Sequence, residues 1–88
     1  MKNTAENRLQ QREIYFSVLR NTEIKEYPEI NAVIGTGNDT KGRPSAIGFT
    51  GTKGKPDFYY YFKDETRRET YINKFIEEQK QKLEYKAE

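Results

Sequence analysis

The pattern of apolar and polar positions is most regular near the C-terminus, where it has the period of an α-helix. Five apolar residues recur at helical spacing and share one stripe: Tyr71, Ile72, Phe75, Ile76 and Leu83. Asp64 suits the N-cap position, and Glu65 places negative charge in the first turn. The pattern predicts a long helix from about residue 65 to about residue 85.

Three segments before this helix have the composition of β-strands. They are residues 31–35, 45–50 and 58–63, and the stretches between them are rich in glycine, proline and other turn-forming residues. Because the connections are short, the simplest arrangement is a three-stranded antiparallel meander.

The N-terminal segment has no single period. Residues 4–20 contain many helix formers, yet their apolar residues spread around the whole helical wheel. Ile14, Phe16 and Val18 also alternate as in a strand. We favour a helix here and leave the strand open. Tyr27-Pro28 then breaks the chain, since the residue before proline avoids the helical region.

Together these elements predict one α+β domain over residues 1–88: the meander, the long C-terminal helix packed on it, and an N-terminal helix. The ends, at residues 1–3 and 86–88, are expected to fray. Apolar residues make up only 33% of the chain, so the core must be thin and built from its seven tyrosines and five phenylalanines. A thin core leaves self-association as a homodimer open.

Composition also limits the chemistry. The chain has neither cysteine nor histidine, which removes the commonest metal ligands and the usual acid–base group near neutral pH. It has no apolar stretch of about 20 residues and no signal-peptide core. We therefore expect a protein of the cytoplasm of a bacterial host cell, with no membrane partner and no cofactor or metal.

The run of aromatic residues at 58–62 divides between the two faces of its strand. Phe58, Tyr60 and Phe62 point one way, and Tyr59 and Tyr61 the other. We expect the first set to form the floor for the C-terminal helix, together with Val33, Ile47 and Phe49.

Tyr59 and Tyr61 would then lie across from Ala46, Gly48 and Thr50. Three alternatives stay open for these tyrosines: they lie over the cross-strand glycine, the N-terminal helix covers them, or they face a partner.

The middle of the chain is basic although the net charge is only +2. Lys41 and Arg43 lie in one predicted loop and Lys53 and Lys55 in the next, at opposite ends of the middle strand. These cations either keep ordinary loops solvated or contact an anionic partner. The candidate partner-binding residues are Tyr59, Tyr61, Lys41, Arg43, Lys53 and Lys55.

No catalytic motif is present. Gly35-Thr36-Gly37 lacks the third glycine of a dinucleotide site, and the glycines and lysines of 48–55 do not have Walker A spacing. The candidate carboxylates all lie at turn or cap positions, where acidic residues are locally favoured: Asp39, Asp57, Asp64 and Glu65. We expect no catalytic residues and a protein that is not an enzyme.

Two motifs of the C-terminal half are KPDFYYYF at 55–62 and DETRRETYINKFI at 64–76. They resemble a pattern in small proteins and accessory domains of phages, prophages and plasmids, in which a KPxFxYxF strand leads into an eeRRexYIxxFI-type helix. The resemblance implies origin on a mobile element rather than a mechanism. Such elements encode many small proteins that bind and inhibit host defence or nucleic-acid machinery.

Two functions are therefore expected. The first is a small non-enzymatic protein that binds a host protein, such as a defence nuclease complex, and inhibits or modulates it. The alternative is an accessory protein that binds DNA or RNA through basic hairpin loops and exposed tyrosines.

Overall fold

The chain forms an antiparallel sheet with a helix against each face. The computed structural model describes the backbone of residues 5–87 and the side chains of residues 10–84. In chain order the elements are α1 (Ala5–Ser17), β1 (Arg20–Tyr27), a 3₁₀ turn (Pro28–Ile30), β2 (Ala32–Asn38), β3 (Pro44–Thr50), β4 (Phe58–Tyr61) and α2 (Glu65–Ala87). The strands lie side by side in the order β1-β2-β3-β4. The predicted α+β class and both helices are confirmed, but the sheet has four strands rather than three.

The additional strand is β1, at one edge of the sheet. Seven of its eight residues are exposed, and only Tyr27 is half-buried. A strand exposed on both faces need not alternate apolar and polar residues, so the period that reveals strands is absent from its sequence. β1 forms because its backbone completes the hydrogen bonding of β2, and it ends at the predicted break before Pro28.

α2 begins where the sequence predicts. Asp64 Oδ1 accepts a hydrogen bond from the backbone N–H of Arg67 at 2.8 Å, as an N-cap does. Ile72 and Phe75 are buried against the sheet. Leu83, the last residue of the predicted stripe, is exposed, so the final turns of α2 lie outside the core.

The register between β3 and β4 decides which side chains share a face, and here the prediction is wrong. The sequence placed Tyr59 and Tyr61 across from the small residues of β3. In the structure Gly48 lies opposite Phe58, and Tyr59 lies opposite Ile47. Because side chains alternate with a period of two, a shift of one residue moves every side chain to the other face.

Each face of the sheet therefore has its own core. The core between α2 and the sheet consists of Ile34, Ala46, Phe58, Ile72 and Phe75, flanked by Tyr27, Phe62, Tyr71 and Ile76. The core on the α1 side consists of Phe16, Leu19, Ile47 and Phe49, flanked by Tyr15 and Val33. The predicted floor of α2 is right for Phe58 and Phe62. It is wrong for Val33, Ile47 and Phe49, which pack against α1.

α1 is a helix, and the strand alternative for this segment is wrong. Phe16 lies so close to β2 that a β-carbon on Gly35 would be 2.5 Å from its ring, and glycine is needed there. The predicted fraying at residues 1–3 and at residue 88 lies outside the described residues, and α2 continues to Ala87. Between residues 5 and 87, no helix has the length and apolar character needed to cross a membrane.

Candidate functional site

β4 is the second edge strand of the sheet, and it exposes three consecutive tyrosines. Tyr59, Tyr60 and Tyr61 are 45%, 52% and 60% exposed. We call these three residues the tyrosine edge. The sequence predicted Tyr59 and Tyr61 as contacts but assigned Tyr60 to the floor of α2. The predicted meander already placed this strand at an edge, but it placed Tyr60 under α2; Tyr60 does contact Tyr71 of α2, yet half of its side chain stays exposed.

Neighbouring aromatic rings hold two of these tyrosines in place. Tyr15 of α1 meets the Tyr59 ring edge-on, with centroids 6.5 Å apart. On the other face, Tyr71 of α2 meets the Tyr60 ring edge-on at 5.5 Å, and the Phe58 ring stacks on Tyr60 at 6.3 Å. Burial raises the pKa of Tyr71, and the electrostatic influence of Tyr60 and Glu78 acts in the same direction.

Tyr61 is held by a cation. The Arg43 guanidinium carbon lies 3.5 Å from the centroid of the Tyr61 ring, which is a cation–π contact. Arg43 Nε also donates to Asp39 Oδ2 at 2.6 Å. Two of the six predicted residues, Arg43 and Tyr61, are thus in direct contact.

Asp39 organises the loop between β2 and β3. Its Oδ1 accepts hydrogen bonds from the backbone N–H groups of Lys41 and Arg43, each at 2.9 Å. Desolvation acts to raise the pKa of Asp39, but the hydrogen bonds from Arg43 and Lys41 outweigh it and lower the pKa. The carboxylate stays charged at neutral pH and neutralises Arg43.

The loop between β3 and β4 is ordered in a similar way by Asp57. Asp57 Oδ2 accepts from Thr50 N at 2.7 Å and from Thr50 Oγ1 at 2.8 Å, and Oδ1 accepts from Lys53 Nζ at 2.9 Å. Arg12 of α1 donates to the carbonyls of Lys53 at 2.6 Å and Gly51 at 2.8 Å. These bonds fasten the loop to α1.

The four predicted cations therefore fall into two groups, which differ in whether an aspartate neutralises them. Arg43 and Lys53 are neutralised by aspartates of their own loops. Lys41 and Lys55 are exposed and form no ion pair with any residue that the structure describes. As predicted, the two loops lie at opposite ends of β3, so the free lysines lie beyond the two ends of the tyrosine edge.

Two clefts border the other edge strand, β1. The larger, of about 260 Å³, lies on the α1 side and is lined in part by Arg12, Glu26 and Val33. The smaller, of about 170 Å³, lies on the α2 side between Glu23, Lys25 and Ile72. Neither contains a grouping of three metal-ligating side chains, nor does any other part of the described chain.

Comparisons of the chain with protein-family models, with curated proteins and with solved structures find no match.

Proposed function

We propose that this chain is a binding protein rather than an enzyme, and that it takes up an acidic, extended segment of a protein partner along β4. The observation that carries the proposal is the tyrosine edge, where three neighbouring tyrosines are each about half exposed on a strand whose outer side pairs with no other strand of the described chain. The unpaired backbone of an edge strand accepts a further strand, and side-chain contacts then give specificity.

Pre-organisation of the tyrosine rings supports this proposal. Tyrosine is enriched at the energetic centres of protein interfaces because it offers a large apolar area with a polar tip. Here Tyr15, Tyr71 and Arg43 hold the rings of the tyrosine edge in position before a partner arrives. Less side-chain entropy is therefore lost on binding.

The charges near β4 indicate the chemistry of the partner. Lys41, Lys55 and Lys63 are exposed in the loop and linker residues close to the two ends of the strand. Their ammonium groups make no ion pair with the described residues. A partner strand with acidic residues toward its ends would match these lysines, and opposite charge speeds association and fixes register.

The resemblance to mobile-element proteins supports a host protein as the partner. By binding along an edge or loop of that host protein, for example a defence nuclease complex, the chain would inhibit or modulate it. The tyrosine edge would be the surface responsible.

The proposal is tested with the full chain as bait in nuclease-treated host lysate. The captured protein is purified, and its affinity is measured for wild type and for Tyr60→Ala and Tyr61→Ala. Each substitution is expected to weaken binding by about ten-fold or more, since interface tyrosines rank among the residues that contribute most. Leu83→Ala, which also removes a half-exposed apolar side chain but on α2, is the matched control and should bind as wild type does.

Hydrogen exchange on the complex separates strand addition from other contacts. The backbone amides of Tyr59 and Tyr61 should become protected when the partner binds, because these alternate N–H groups point away from β3 and a strand added at the edge hydrogen-bonds to them. Unchanged exchange at these amides, or equal affinity of the tyrosine variants and wild type, would contradict the proposal.

Single-stranded nucleic acid is the second candidate, favoured by the position of Lys41 and Lys55 beyond the two ends of three exposed tyrosines. Bases stack on aromatic rings while phosphates contact lysines. Binding of a fluorescent oligothymidylate should then fall steeply with salt, and Lys41→Ala and Lys55→Ala should weaken it. The neutralisation of Arg43 and Lys53 by aspartates favours the protein partner instead. No oligonucleotide binding at about 20 mM salt would dismiss nucleic acid.

A further inference from the structure

The edge strand β1 is exposed along most of its length. Seven of its eight residues are exposed, and only Tyr27, beside the core of α2, is half-buried. A cleft lies beside it on each face of the sheet. Its outer side pairs with no strand of the described chain. An edge of this kind accepts a further strand unless its side chains prevent pairing.

Side chains of β1 alternate in charge on one face and include an apolar residue on the other. Glu23 and Lys25 line the cleft on the α2 side. Ile24 points to the opposite face and is 54% exposed. Charges on edge strands often prevent pairing with another chain. Here the opposite signs of Glu23 and Lys25 make an antiparallel second copy of β1 complementary in charge.

The register that a second copy can adopt follows from symmetry. A two-fold axis perpendicular to the sheet keeps each side chain on its own face, so the axis must pass through a residue paired with its own copy. An axis at Glu23, Lys25 or Glu26 sets like charges directly opposite each other, which is destabilising. An axis at Ile24 sets Ile24 against its copy, and Glu23 against Lys25 of the other copy twice.

The local backbone structure also favours a two-fold axis at Ile24. Asn21 has a φ of 56°, and the pairing of β1 with β2 shifts register between Arg20 and Glu23. From Glu23 to Tyr27 the pairing with β2 is regular. The three residue pairs centred on Ile24 therefore lie within the regular part of the strand, and an axis at Thr22 would fall in the bulge.

We propose that the chain forms a two-fold symmetric dimer through β1, with antiparallel strands centred on Ile24 and one eight-stranded sheet across both copies. Two Glu23–Lys25 pairs lie on the α2 side, and the two Ile24 side chains meet on the α1 side. One strand pair forms a small interface, so the dimer dissociates on dilution.

Charge reversal in β1 tests this arrangement by sedimentation or light scattering over a concentration series up to about 1 mM. Glu23→Lys alone, or Lys25→Glu alone, turns both cross-strand pairs into like charges. Each should raise the dissociation constant of the dimer by roughly ten-fold. The double variant Glu23→Lys/Lys25→Glu restores opposite charges in the reverse order and should dimerise as wild type does.

The matched control is Glu77→Lys, the same change of charge at an exposed position of α2, which should leave the dimer unchanged. Thermal melts establish that each variant is folded. A wild-type chain that stays at its monomer mass of 10.4 kDa throughout the series would overturn the proposal. Single reversals without effect, or a double variant that fails to recover dimerisation, would overturn it too.

Discussion

Gly48 of β3 and Phe58 of β4 lie close together in the core on the α2 side of the sheet. The two residues are directly opposite each other, and a β-carbon on Gly48 would overlap the Phe58 ring. That ring is 4% exposed and is held by Tyr71 at 5.1 Å and by Phe75 at 4.8 Å between centroids. It cannot move aside without disturbing both neighbours, so glycine is required at position 48.

Gly48→Ala is therefore expected to destabilise the fold by about 1–3 kcal/mol through overpacking, measured by urea denaturation. Phe58→Leu gives the added methyl group more room. The double variant Gly48→Ala/Phe58→Leu should lose less free energy of unfolding than the sum of the two single losses. Additive losses would show that the two residues do not compete for the same space.

Asp57 makes the stability of the β3–β4 loop depend on pH. Desolvation acts to raise the pKa of Asp57, but hydrogen bonds from Lys53 and from the Thr50 side chain and backbone outweigh it and lower the pKa. A carboxylate whose folded-state pKa is lowered contributes stability above its unfolded pKa, and that contribution is lost as the pH falls through the folded value.

Asp57→Asn should accordingly lower the melting temperature at pH 7. The difference from wild type should begin to shrink near about pH 4, the ordinary pKa of an aspartate in the unfolded chain, and should be lost once the pH falls below the lowered pKa of the folded state. Melting curves of both proteins between about pH 7 and pH 2 measure this effect. A difference that stays constant across the range would show that the charge of Asp57 contributes nothing.

At the scale of elements, each helix stabilises one face of the sheet, and α2 provides the larger core. Phe75 is 9% exposed and packs on Phe58, whereas Phe62 is only half-buried at the margin of the same cluster. The two phenylalanines therefore differ in how much apolar surface they remove from water.

Phe75→Ala should cost about 3–5 kcal/mol, enough to unfold most of so small a domain. Phe62→Ala, at the margin, should cost less because part of its ring is already in water. Circular dichroism melts of the two variants compare them under identical conditions. If Phe75→Ala kept the wild-type melting temperature, the assignment of α2 to this face of the sheet would be wrong.

At the scale of the whole molecule, the described residues form a flat body of 43 × 36 × 15 Å with two open sheet edges of different chemistry. β1 carries alternating charges, and β4 carries the tyrosine edge. A dimer through β1 would leave a tyrosine edge at each end of the eight-stranded sheet. Such a bivalent protein binds a repeated or dimeric partner more tightly than one copy does, because the second contact is intramolecular.

Local patterns in the sequence determined a large part of this fold. The period of Ile72 and Phe75 identified α2, the Asp64 cap located its first turn, and short β-branched or aromatic runs identified three strands. The candidate residues Tyr59 and Tyr61 followed from the aromatic run, and both are exposed. Each of these features depends on residues within a few positions of one another, so one sequence suffices to predict them.

Only the tertiary structure decided the register of β4, the existence of β1 and the exposure of Tyr60. The register depends on how Phe58 fits over Gly48, a contact between two strands that no local pattern specifies. β1 is held by backbone hydrogen bonds to β2 and leaves no period in its side chains. Whether a strand ends a sheet depends on what else pairs with it. The predicted meander already placed β4 at an edge, but the other edge, and the site proposed on it, emerge only once β1 has paired with β2.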